Sequence, residues 1–144
     1  MNLNDKIYIA DTYNHRIKVL NLNGGCIWNG RSKKSFPHAI AVGSSHVYVG
    51  HNNSYITHYT TNGVHQTGDW TGGALRYSWG MSLNSAGNKL AIADYIRNRV
   101  VEFTVSGQSL SYSQATSASY SSSNGYFRRP TDAAYDSSGN IYGL

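Results

Sequence analysis

Two acid–base pairs recur in this chain at one spacing, Asp11 with Arg16 and Asp94 with Arg99. A carboxylate five residues before a guanidinium can close a tight loop with a charge-assisted hydrogen bond. The same pair types occur as catalytic ion pairs in enzymes, but one active site needs no duplicate in an equivalent place. The repetition therefore predicts a structural clamp at Asp11/Arg16 and at Asp94/Arg99. Six histidines raise the question of a metal, and five of them (His38, His46, His51, His58 and His65) fall in one stretch. None stands at the His-x-His or His-x-x-x-His spacing that brings two imidazoles to one ion, so no metal ligand set and no cofactor are expected. The seven acids are spread along the chain, which disfavours a calcium cage, with Asp132 and Asp136 the remaining candidates. The single cysteine, Cys26, lies beside Ile27 and Trp28 and reads as a structural thiol on an outer strand. No Gly-x-Ser-x-Gly elbow and no glycine-rich phosphate loop before a helix occurs, so no catalytic residue is assigned.

The elements that must position these residues follow from composition and repetition. The chain has 144 residues, one domain's worth, with 13% charged residues against about 25% in an average domain. Twelve tyrosines and fifteen glycines stand where a helical protein carries Ala, Glu and Lys. No run approaches the roughly 18 apolar residues of a membrane span, and no membrane partner is expected. One cysteine excludes an internal disulfide framework. Three segments align: Ile7 to Val19, Val47 to Ile56 and Leu90 to Val101. Asp11, His51 and Asp94 are equivalent, about 40 residues apart, and a fourth copy starts at Asn140-Ile141-Tyr142-Gly143. Within unit two, alternation predicts an inner strand at Ala39 to Val42 and a second at His46 to Val49. A third follows at Tyr55 to Tyr59 and an outer one at Val64 to Trp70. Thr61-Asn62-Gly63, Leu22-Asn23-Gly24 and Val105-Ser106-Gly107 supply hairpin turns after the third strands. The expected fold is all-β, a β-propeller of four-stranded antiparallel blades. Its units run over about 1–35, 36–78 and 79–126, with a partial unit at 127–144.

The segment Ile7-Tyr8-Ile9-Ala10-Asp11-Thr12-Tyr13-Asn14-His15-Arg16-Ile17 resembles the NHL repeat, with the eponymous Asn-His at Asn14-His15. Phe36-Pro37 and Phe127-Arg128-Arg129-Pro130 resemble the Pro-bearing start of a repeat, and unit three keeps Asp94, Asn98 and Arg99 with Trp79-Gly80 at the Pro place. Unit two departs from the pattern, with His51 for the Asp and Tyr55 for the Arg. The resemblance implies a mostly six-bladed propeller, of which three blades and a part-blade form an incomplete ring in this chain. Blades bury their faces only against other blades. Completion is therefore expected from the remainder of a longer chain or from a homodimer, in which Thr131 to Tyr135 adds as an inner strand to a partner's first unit.

With strands assigned, the loops between second and third strands and the loops joining units fall on one face. Arg31, Lys33, Lys34, Arg76, Arg97, Arg128 and Arg129 lie there, seven of the twelve basic residues. They are interleaved with Tyr13, Trp70, Tyr77, Tyr95 and Tyr126. Net charge is +5, compatible with a polyanionic partner without demanding one. This face is the candidate binding surface, with Arg31, Lys33, Lys34, Arg76, Tyr77, Tyr95, Arg97, Arg128 and Arg129 as its contacts. The function read here is a non-catalytic scaffold that binds a protein or polyanionic ligand. Two alternatives stand beside it. The family resemblance implies single-stranded RNA binding on this face, and related six-bladed enzymes imply a metal-dependent lyase or lactonase. The serine-rich stretch from Ser106 to Ser123 reads as an outer strand followed by a long linking loop.

Overall fold

The structure is a computed structural model and describes residues 5–34, 36–67, 69–70, 72–116 and 126–144. Residues 117–123 of the serine-rich stretch lie outside the described residues. Among the described residues, twelve strands form four antiparallel sheets in sequence order. The first sheet is β1 (Lys6–Asp11), β2 (Arg16–Asn21) and β3 (Cys26–Arg31). The second is β4 (Pro37–Val42), β5 (His46–His51) and β6 (Ile56–Thr60). The third contains β7 (Ser78–Leu83), β8 (Lys89–Asp94), β9 (Arg99–Ser106) and β10 (Ser109–Ala115), hydrogen-bonded in that order. The fourth pairs β11 (Ala133–Tyr135) with β12 (Ile141–Gly143).

The third sheet is the four-stranded meander expected of each unit, whereas the expected outer strand at Val64 to Trp70 is reduced to two isolated bridges, Ile56↔Trp70 and Tyr59↔His65. The hairpin glycines behave as anticipated: Gly24, Gly63 and Gly107 have φ of +81°, +86° and +59°.

β5 and β8 are buried on both faces, and alternation decides which neighbour each residue meets. In β5, Val47 and Val49 join Ile17 and Tyr59 between the first two sheets, while Tyr48 turns to the cluster shared with the third. In β8 the large Leu90 and Ile92 pack toward the second sheet, and the small Ala91 and Ala93 allow the fourth sheet close, against Val100 and Ala133. The largest core lies between sheets two and three and includes Ile56, Leu75, Met81, Val101 and Phe103. The first strands of successive sheets lie side by side: β4 packs against β7, and β7 against β11. They form one inner row, and the ends of that row position the sites below.

Candidate ligand-binding face

The loops from second to third strands share one design. Asp11 and Asp94 end β1 and β8, a single 3-10 turn follows (Thr12–Asn14 and Tyr95–Arg97), and a residue in the left-handed region reverses the chain. That residue is His15 (φ +53°) or Asn98 (φ +52°), and Ser54 (φ +66°) holds the place in the second sheet. Asn and His tolerate this backbone better than branched residues. The reversal sets Arg16 opposite Asp11 and Arg99 opposite Asp94 in register.

Arg16 Nε donates to Asp11 Oδ2 at 2.6 Å, Asn14 Nδ2 donates to Oδ1 at 2.8 Å, and Lys18 Nζ lies 3.6 Å away. The Arg16 hydrogen bond, then that from Asn14, holds the Asp11 carboxyl below its ordinary range. Asp94 is fully buried; Arg99 Nε donates to Oδ2 at 3.3 Å, and the backbone N–H groups of Arg76 and Tyr77 donate to Oδ1 at 3.2 Å each. Arg99 also donates to the Ala74 carbonyl. In the second sheet His51 is buried and its Nε2 meets Thr57 Oγ1 at 2.9 Å in the place of the aspartate. All of these contacts fasten a loop to its own sheet or to the segment leading into it.

The inner strands open with a second shared feature. Pro37 faces His51 and Ala39 faces Gly50, so His38 is an extra residue in β4. Ser78 faces Asp94 and Met81 faces Ile92, which leaves one extra residue in β7 as well. A bulge of this kind re-aims a side chain at a strand end. The register makes Ser78, and not Trp79, the equivalent of Pro37, and pairs Trp79 with His38 in position.

These bulges gather aromatic rings from two sheets. Trp79 stacks on Tyr95 (centroids 4.7 Å apart), on Tyr77 (5.4 Å) and on His38 (5.5 Å). Tyr77 Oη and His38 Nε2 are hydrogen-bonded at 2.9 Å. Arg129, held by its N–H to Asn98 Oδ1 at 3.0 Å, sets its guanidinium 5.7 Å from the Tyr95 ring centre. Burial lowers the basicity of His38 and raises the Tyr77 hydroxyl, the latter also through Tyr13. Trp79 remains 39% exposed and Tyr13 88% exposed. Large rings held by stacking yet open to solvent are suited to planar or apolar ligand groups.

The residues proposed from sequence divide into three groups. Tyr77, Tyr95 and Arg129 come together in the ring cluster, with the exposed Arg76 next in sequence to Tyr77. Arg97 is committed to the Gly73 and Ala74 carbonyls (2.8 and 3.1 Å), and Lys34 lies 4.3 Å over the Tyr55 ring. Lys33 and Arg128 are exposed, and Arg31 ends β3 opposite Arg16 in register. Trp70, placed on this face from sequence, instead packs edge-on against Phe103 at 4.8 Å beside the main core, because its bridge to Ile56 turns it inward.

His38 and Trp79 were not among the sequence candidates; their signal was their place just before two inner strands. Glu102 was missed too: 3% exposed, it accepts from Tyr135 Oη at 2.9 Å and Gln114 Nε2 at 3.3 Å and pairs with Lys89 at 3.4 Å. It joins sheets three and four, and burial, then that carboxylate, pushes the Tyr135 hydroxyl far up. Asp136 is used within its own turn, accepting from Ser138 N, Asn140 N and Asn140 Nδ2. Asp132 Oδ1 accepts from Ala133 N at 2.8 Å. Among the described residues, no three His, Cys, Asp or Glu side chains converge as metal ligands.

No family model matches this chain, and no curated protein matches it. Among solved structures, the chain is similar to the hydrazine synthase of Kuenenia stuttgartiensis, with a TM-score of 0.78 at 12% identity. The alignment covers 99% of this chain and 40% of that one, so the chain spans well under half of its length. A likeness at that identity concerns the fold alone.

Proposed function

We propose that the chain is a non-catalytic binding module built from NHL-like propeller blades, which takes its ligand on the face carrying Trp79. The observation that supports this reading is the ring cluster of His38, Tyr77, Trp79 and Tyr95 with Arg129 beside it. It spans the heads of two inner strands and the lead into a third, the place where successive sheets come nearest one another. Exposed Trp, Tyr and Arg are the residue types that carry most binding energy at protein surfaces. Of the acids near this face, Asp11 and Asp94 are neutralised by their own arginines, and the exposed Asp132 lies beside Gly80. Arg76 and Arg129 outnumber Asp132 and leave the face net positive, which favours an anionic ligand.

Single-stranded RNA is the polyanion that this combination fits, since cations track the phosphates while rings contact the bases. The test is a titration of the chain with a single-stranded oligouridylate, followed by tryptophan fluorescence at about 50 mM and about 200 mM salt. Binding that weakens steeply with salt and is lost in Trp79→Ala and Arg129→Ala supports RNA as the ligand. Binding that ignores salt or both substitutions removes RNA and leaves a protein ligand for the same face.

A further inference from the structure

The opposite ends of β4 and β7 border a feature unrelated to the ring cluster. An open cleft of about 680 Å³ lies between the start of β1 and the ends of these inner strands, within the usual range of small-molecule sites. One wall is apolar, formed by Ile40, Val42 and Leu83. Lys6 is the sole charged residue among the described residues that line it.

The ammonium of Lys6 is held in place by neutral acceptors. It donates to the Thr61 carbonyl and to Asn62 Oδ1, both at 3.3 Å, and makes no ion pair among the described residues. An ammonium has three donors, so one remains for a ligand. Tyr8, also in the lining, donates its hydroxyl to the same Thr61 carbonyl at 3.2 Å, which steadies the 61–62 turn behind Lys6. One oriented cation and adjoining apolar side chains define a complementary ligand.

We propose that this cleft binds a small amphipathic monoanion of the medium-chain carboxylate class, its carboxylate at Lys6 and its hydrocarbon tail over Ile40, Val42 and Leu83. The proposal does not depend on the ring-bearing face. It is tested with decanoate as the probe, by isothermal titration against the purified chain and its variants, with decanol as the uncharged control. Saturable decanoate binding is expected, weakened about tenfold by Lys6→Met, the loss of one charge-assisted contact. Decanol is expected to bind more weakly than decanoate and to be indifferent to Lys6→Met. Val42→Trp and, independently, Leu83→Trp fill the cleft and are expected to abolish binding while the melting transition stays cooperative. Absence of saturable binding at millimolar decanoate overturns the proposal. So does binding that survives both tryptophan substitutions, or decanol binding as tightly as decanoate.

Discussion

Asp94 and Asp11 occupy the same place in their repeats, yet their surroundings predict unequal consequences on removal. Asp94 is fully buried and receives two backbone N–H groups and Arg99, which is itself 17% exposed. Asp94→Ala strands those donors, and breaking such a buried pair costs about 3 kcal/mol. Calorimetric melting should show a clear drop for Asp94→Ala and a smaller one for Asp11→Ala, whose partners reach solvent; equal drops would count against the clamp. The spacing of aspartate and arginine was enough to foresee both ion-pair contacts, because the partners are five residues apart and the loop is local. Trp79 and His38 were not legible in that way. They lie about 40 residues apart, and only the packing of β4 beside β7 stacks their rings. Trp70 shows the converse error: an aromatic residue near a predicted loop reads as exposed until its partner Phe103, 33 positions on, is brought beneath it.

Among the elements, β6 and the head of β7 each carry a testable weakness. His58 on β6 is fully buried between His46 and Tyr48, and neither ring nitrogen has a partner among the described residues. Burial first, then the nearby His46, lowers its affinity for a proton, with His65 adding to this and Asp69 opposing. The unfolded chain then binds that proton more readily than the folded one, so stability is full above about pH 6.5 and declines as pH falls below it. Urea unfolding at about pH 7 and about pH 5 should show this decline. It should be smaller in His58→Phe, the remainder coming from His38, whose proton affinity burial also lowers. An unchanged slope in His58→Phe would place the acid sensitivity elsewhere. At the head of β7, a Cβ on Gly80 would stand 2.6 Å from the Thr131 carbonyl oxygen and 2.3 Å from Asp132 Oδ1. Gly80→Ala must therefore push sheet four away from sheet three. A loss of about 1 to 3 kcal/mol in thermal unfolding is expected, and a wild-type melting temperature would show that the segment yields freely. Strand placement was readable from alternation, but the outer strand of unit two was not. Val64 to Trp70 has the residue types of a strand and too little ladder to hold one.

Across the whole molecule, burial is uneven in a way that bears on assembly. The equivalent strands β5 and β8 are buried at five of six positions, whereas β1 has no buried residue and its Ile7 is exposed. A second copy of the chain covering that strand, in competition with a ligand in the cleft at Lys6, predicts a particle of twice the chain's mass in light scattering. A monomer with a sharp, concentration-independent melt would argue against the pairing. The β11 segment foreseen as the donated strand is already paired on one edge with β12, so an exchange would have to release that pairing. By itself the sequence determined the repeat from segments that recur along the chain, and the all-β class, the glycine turns and the Asp–Arg contacts from residues a few positions apart and alternation along one strand. The ring cluster, the Glu102–Tyr135 link and the cleft at Lys6 were decided by tertiary structure. Each joins residues from different sheets, and which side chains meet there depends on bulges, register and the packing of one sheet on the next.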